Sequence, residues 1–268
     1  MLLKTRPPAR LPNLGDVEMR VVRGRHAPPV RLEGTQEVEW ADKAFESALA
    51  ASGRLARLVT TLEDHGSRYC VFGGWLRDTV SSHSRGTPGP RDLDLVAADI
   101  EPESLIAALP ADIRPTIFGG VQSSAGSVQF DIWPLHETFL IRTLSLPPSF
   151  ECLLETADFD INAGLYFPAQ AKQPSAIIDA GMLDAIRRRT LAFNSHHLPF
   201  PILQCARLLA YRAKLDLDLD PAVLCLMREI LMIPSSRAQV SDGLLRHQPP
   251  AVAAKAIAAI QQVVEGAY

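Results

Sequence analysis

The chain has 268 residues, 47% of them hydrophobic, so it can bury a sizeable core and form one domain with an appendage. A net charge of −3 supplies no overall basic field, so any contact with nucleic acid has to come from a local patch. Cys70, Cys152, Cys205 and Cys225 have neither zinc spacing nor a disulfide framework, and no apolar run matches a membrane span or signal peptide, which together predict a soluble, cytoplasmic protein with buried free thiols.

Residues 1–38 hold Pro7, Pro8, Pro12, Pro28 and Pro29 among six arginines, the composition of a flexible or surface-hugging extension. From Ala41 to His65 the apolar positions Phe45, Ala48, Leu49, Leu55, Leu58, Val59 and Leu62 recur at mostly helical spacing, and Gly66 follows as a C-cap. This predicts one amphipathic packing helix. Tyr69 to Phe72 then reads as a buried strand that runs into Gly73-Gly74. Two residues without a Cβ let a phosphate approach backbone amides, and the helix opening near Trp75 adds its positive end. Arg77 and Asp78 follow within the first turns of that helix.

In the strand Arg91-Asp92-Leu93-Asp94-Leu95-Val96, residues two apart share a face, so Asp92 and Asp94 project together while Leu93 and Leu95 face the core. Adjacent carboxylates raise each other's pKa unless cations neutralise them, and magnesium is the hard ion that takes carboxylate and phosphate oxygens. A helix from Pro102 to Leu109, a strand from Arg114 to Phe118 and a Gly/Ser loop lead into Ser127 to Trp133. There Val128, Phe130 and Ile132 alternate with Gln129, Asp131 and Trp133, setting Asp131 on the face opposite the aliphatic core. Two acids on one strand and one on a neighbour make the ligand set of a two-metal phosphoryl- or nucleotidyl-transfer site.

Further on, Leu203 to Leu215, Pro221 to Met232 and Ala251 to Val264 read as helices separated by Pro234-Ser235-Ser236 and Pro249-Pro250. The run from Asp216 to Asp220 resembles a metal cluster, but beside Pro221 it reads as a solvated linker and helix start. His196-His197 lacks a third ligand and reads as a surface turn.

Taken together, residues 67 to 217 resemble the head of class II tRNA nucleotidyltransferases and bacterial poly(A) polymerases, within the polymerase-β nucleotidyltransferase superfamily. Gly73-Gly74-Trp75-Leu76-Arg77-Asp78 is similar to the family's Gly-Gly-x-x-Arg-Asp, and Arg91-Asp92-Leu93-Asp94 to its metal-binding Asp-x-Asp. Asp131 falls where a further acid follows on the next strand. Asp158 to Ala163 resembles Asp-Phe-Thr-x-Asn-Ala, and Asp179-Ala180-Gly181 with Asp184 and Arg187 resembles the turn that follows, shortened. There are also departures. Thr156 and Ala157 stand where the family has arginines, and of the base-selecting Glu-Asp-x-x-Arg only Arg207 is matched.

The resemblance implies an α+β fold: a nucleotidyltransferase head over residues 39–190 after the 1–38 extension, then a helical neck-like region over 191–268. It implies catalysis by Asp92, Asp94 and Asp131 with two magnesium ions, and an NTP, ATP or CTP foremost, held by Gly73, Gly74, Arg77, Asp78, Asn162 and Arg207. Arg77 is left to bind phosphate or to brace the acidic strand. The acceptor is an RNA 3′ end by resemblance; a protein or small-molecule hydroxyl is the alternative, and a non-catalytic nucleotide- or RNA-binding relative the third reading. The short C-terminal region leaves a partner protein to supply a tRNA-gripping surface.

Overall fold

The computed structural model describes residues 17–87, 89–90, 92–104, 114–116, 120–123, 128–170 and 173–266. Arg91, most of the expected helix to Leu109, the end of the expected strand at Phe118, and Ser127 lie outside the described residues. In chain order, β1 (Met19–Val21) and β2 (Val30–Leu32) precede α1 (Gln36–Ala51) and α2 (Gly53–Asp64). Next come β3 (Tyr69–Phe72), α3 (Gly74–Arg85), β4 (Asp92–Ala97), β5 (Arg114–Pro115), β6 (Val121–Ser123) and β7 (Gln129–Pro134). Two short helices, α4 (Phe139–Thr143) and α5 (Phe150–Glu155), lead to β8 (Gly164–Phe167) and β9 (Ala176–Asp179). The remainder is α6 (Met182–Arg188), β10 (Thr190–Leu191), β11 (His197–Pro199), α7 (Pro201–Leu215), β12 (Asp218–Leu219), α8 (Pro221–Leu231), α9 (Pro234–His247) and α10 (Pro250–Glu265).

The chain divides into two compact units interleaved in sequence. One comprises Pro29–Leu154 and Gly164–Asp179; the other comprises Val17–Pro28, Glu155–Ala163 and the stretch from Ala180 onward.

The first unit is built on an eight-stranded mixed sheet of order β2-β9-β8-β3-β4-β7-β6-β5. Of its pairs only β4 and β7 run parallel. Register aligns Tyr166, Val71, Leu95, Ile132 and Val121 across five strands in one apolar row. All five are buried, and each such aliphatic side chain contributes about 1.5–3 kcal/mol through removal from water. Aromatic packing ties helices to this face: Phe45 of α1 and Trp75 of α3 meet Tyr166 at centroid distances of 5.8 and 5.7 Å. Asp42 of α1 accepts hydrogen bonds from the Tyr166 hydroxyl at 2.7 Å and the Ser175 hydroxyl at 2.8 Å, locking α1 onto β8 and the residue that precedes β9. The α+β class expected from the sequence is the one observed.

Three local expectations are corrected. The helix anticipated from Ala41 to His65 is two helices, because Ser52 turns extended (φ −135°, ψ 97°) and its hydroxyl accepts the Leu55 N–H at 3.3 Å, ending α1 and capping α2. Residues 17–38 are no loose extension: Val30–Leu32 adds β2 to the sheet edge beside β9, and Met19–Val21 pairs with β11. Pro234-Ser235-Ser236, read as a separator, opens α9, with Pro234 in the first turn, where its missing N–H carries no penalty.

The second unit is mostly helical, with α7, α8, α9 and α10 packed together. The segment before β2 runs along it: Gly24 passes so close to Asn194 that a Cβ would lie 2.3 Å from its carbonyl oxygen, which only glycine permits. The Asp216–Asp220 run is less solvated than expected. Leu219 and Asp220 are buried, Asp218–Leu219 pairs with β10, and Asp220 caps α8 and ion-pairs with Arg25. His197 lies in β11, while His196 accepts the Gly24 N–H through Nδ1 at 3.3 Å. All four cysteines are free, and burial pushes the Cys205 thiol up to about 12; Cys225, however, is exposed rather than buried. Among the described residues no helix is long and apolar enough to cross a membrane.

Removing the acceptor shared by Tyr166 and Ser175 tests the α1 lock. Asp42→Ala is expected to destabilise the protein by about 1–3 kcal/mol, read from the urea midpoint.

Candidate active site

The β3 strand ends where the chain must turn sharply into α3. Gly73 takes φ 68° and ψ −112°, a conformation open to glycine, and its N–H is fixed by the Gly164 carbonyl at 3.0 Å. Residues Trp75 to Ser81 are all buried, so α3 is held from every side and its N-terminal amides are fixed in place. Arg77 and Asp78 sit inside this setting at 4% and 6% exposure, joined by an Nε to Oδ1 hydrogen bond of 2.8 Å. The Arg77 guanidinium lies against Gly74, 3.4 Å from where a Cβ would be. The buried Arg77–Asp78 pair thus lies directly behind the turn that the glycines make.

Beside the turn stand the carboxylates. Asp94 of β4 pairs directly with Asp131 of β7, and Asp131 pairs in turn with Gln122 of β6, in the row next to the apolar one and on the opposite face of the sheet. Asp92 is exposed and Asp94 and Asp131 half-buried, while Leu93, Leu95, Phe130 and Ile132 are buried behind them. Burial pushes the Asp131 carboxyl above the usual carboxylate range, a hydrogen bond with Gln122 pulls it back, and the charge of Asp92 pushes it up. Among the described residues no three His, Cys, Asp or Glu side chains are gathered tightly enough to form a ready-made metal cage. The donor chemistry nevertheless suits magnesium: three hard oxygen donors on adjacent strands, with a carboxyl whose charge is opposed by a like charge that a divalent cation would offset.

Three neighbours of these acids were not picked out as site residues by sequence reasoning. Gln122 fell within a stretch read as loop, and its pairing with Asp131 depends on the β6–β7 register. Phe72 and Trp133 share the carboxylate face, where their half-buried rings meet edge to face at 6.5 Å. The period-two alternation that exposed Asp131 also exposed Trp133, which was the available signal.

The other anticipated nucleotide ligands, Asn162 and Arg207, belong to the second unit and converge there on Asp158. Asp158 Oδ1 accepts from Asn162 Nδ2 at 3.0 Å and from the Phe159 N–H at 2.9 Å, and its Oδ2 pairs with Arg207. Arg207 also donates to Gln204 and Tyr211, both at 3.1 Å, and lies over the rings of Phe159 and Tyr211. Nearby Asp160, 5% exposed, accepts from the Ile161 and Ala192 N–H groups at 2.8 and 3.0 Å, and burial pushes it up to about 6.

Two titrations probe these assignments. Asp92→Asn should lower the Asp131 midpoint by removing a like charge, and Gln122→Leu should raise it by removing a donor, both read from the carboxyl carbon by NMR. For Asp160 the folded-state pKa is raised, so its contribution to stability is complete below the unfolded value near ~4 and is lost as pH rises through about 6. Asp160→Asn should therefore gain on the wild type across that interval, by on the order of 3 kcal/mol, in urea midpoints taken from pH 4 to 8.

No family model matches this chain, and no curated protein does. Solved structures do. A CCA-adding enzyme in complex with ATP superposes with a TM-score of 0.61 at 17% identity, over 87% of this chain and 54% of that one. A Thermotoga maritima CCA-adding enzyme complexed with tRNA gives 0.60 at 16%, over 87% and 54%. A tRNA nucleotidyltransferase complexed with a primer tRNA and an incoming ATP analog gives 0.56 at 16%, over 77% and 60%. The chain spans about half the length of these enzymes. At such identities the likeness is one of architecture, and this chain shares its fold with CCA-adding enzymes.

Proposed function

We propose that this protein is a magnesium-dependent nucleotidyltransferase that moves an NMP from an NTP to an acceptor hydroxyl, an RNA 3′ end foremost. The observation that carries the reading is the register of Asp94 with Asp131, beside Asp92 and on the sheet that ends at the Gly73 turn. Solved structures of similar fold with ATP, CTP and tRNA support ATP or CTP as the donor and RNA as the acceptor.

In this reading Asp92, Asp94 and Asp131 hold two magnesium ions, which supply charge neutralisation at the triphosphate when bound. Gly74 and the amides that open α3 meet the phosphates. Gly73, its own N–H held by Gly164, lets them approach because it has no Cβ, and the Arg77–Asp78 pair keeps that turn rigid. The acceptor oxygen forms a bond to the α-phosphorus as the bond from that phosphorus to the bridging oxygen breaks. Pyrophosphate leaves with the electron pair, and the hydroxyl proton leaves to solvent. Positioning and charge neutralisation do the catalytic work, with no covalent enzyme intermediate. Asn162 and Arg207, expected to bind the nucleotide, meet at Asp158 within the second unit.

A non-catalytic relative is the second reading, favoured by the engagement of Arg207 with Asp158 and by Thr156 and Ala157 standing where cations are expected. Incubation with labelled NTPs, magnesium and either total RNA or lysate proteins and metabolites separates the readings. Label is expected on RNA, with Asp92→Asn and Asp94→Asn each lowering transfer on the order of 10²–10³-fold. Label on protein alone would remove the RNA acceptor, and no transfer to any acceptor would favour the non-catalytic relative.

A further inference from the structure

Two part-buried aromatic rings, Phe72 and Trp133, stand on the carboxylate face beside the acids. Trp133 follows Asp131 by two residues on β7 and pairs with Val96, as Asp131 pairs with Asp94. Two residues along a strand advance roughly 6.6 Å. Because β3 runs antiparallel to β4, with Tyr69 opposite Ala97 and Val71 opposite Leu95, the Gly73 turn lies at the Asp92 end of β4. Along this face the order is therefore the glycine turn with Asp92, then Asp94 with Asp131, then Trp133. Phe72 meets the Trp133 ring at 79°, and Trp133 Nε1 donates to the Thr138 hydroxyl at 3.0 Å, which fixes the indole's orientation without help from solvent.

We infer that Trp133, backed by Phe72, stacks the terminal base of a nucleic-acid acceptor and so selects an RNA-like 3′ end over a protein or small-molecule hydroxyl. The inference rests on the nucleotidyltransferase reading. In an in-line displacement the attacking oxygen and the leaving group lie on opposite sides of phosphorus. With pyrophosphate departing at the glycine turn, the acceptor enters from the opposite end of the carboxylates, where Trp133 stands. A 3′-terminal nucleotide brings a planar base within one ribose of the reacting hydroxyl, and a fixed indole face is its natural platform. A seryl hydroxyl or a simple alcohol brings no such ring. The part of the indole left exposed is then apolar surface that the acceptor's base covers.

The test uses the full chain and a short single-stranded oligoribonucleotide. Indole emission should be quenched saturably on titration, and the quench should vanish in Trp133→Phe. By anisotropy of a labelled oligonucleotide, Trp133→Leu should weaken binding on the order of tenfold, the scale of one lost base–aromatic stack, while Trp133→Phe recovers most of it and NTP affinity holds in both. Circular dichroism checks the fold of each variant, and Trp133→Phe, which keeps a ring, stands in if the leucine variant does not fold. Oligonucleotide affinity indifferent to position 133, or a quench that persists in Trp133→Phe, overturns the inference. RNA that is labelled in the transfer assay yet indifferent to position 133 would sink the stack and spare the transferase. An oligonucleotide that binds through Trp133 and accepts no label would do the reverse.

Discussion

Like charges on neighbouring strands repel, and the centre of this structure is a place where the backbone forces them together. The parallel β4–β7 pairing fixes Asp94 opposite Asp131, and period-two geometry leaves Asp92 on the same face. Neither strand can slip by one residue to relieve this, because a slip would turn Leu93, Leu95, Phe130 and Ile132 out of the core and the acids into it. The apolar row beneath the carboxylates therefore acts as an anchor. Its burial holds Asp92, Asp94 and Asp131 in register on one face. Gln122 softens the strain from the third strand, and the sealed Arg77–Asp78 pair supplies rigidity next door without adding net charge.

The second unit solves a different problem with similar residues. Asp158 is buried, and its oxygens are met by Arg207, Asn162 and the Phe159 amide. Arg207 also lies over the rings of Phe159 and Tyr211. This is a polar network of the kind that fixes one packing arrangement, with Arg207 supplying the charge opposite the Asp158 carboxylate. Residue types suggestive of a ligand site are here engaged with one another.

The sequence made the carboxylate face legible because strands obey a period of two: Asp92, Asp94 and Asp131 could each be assigned to a face from their aliphatic neighbours alone. Gly73-Gly74 was legible because few residues other than glycine tolerate the backbone that the turn uses. Partnerships set by register were not. Gln122 reaches Asp131 through a pairing that local pattern does not encode, and β2 joins the sheet edge through contact with β9, far away in sequence. Arg77 and Arg207 were legible as cations but not as cations already engaged, because the packing around each comes from elsewhere in the chain. The break at Ser52 shows the converse: helical periodicity ran on through a residue whose side chain was better used as a cap.

The interleaving of the two units has a consequence for how the protein is made. Every residue of the first unit precedes Ala180, so the glycine turn, the carboxylates and all eight strands of the sheet have left the ribosome before the main body of the second unit is synthesised. Val17–Pro28 and Glu155–Ala163 emerge early but acquire their partners, β11, Phe193 and Ala192 among them, only later. The sheet that carries the carboxylates is thus free to fold first, while two segments of backbone wait for the C-terminal partners that they will pack against.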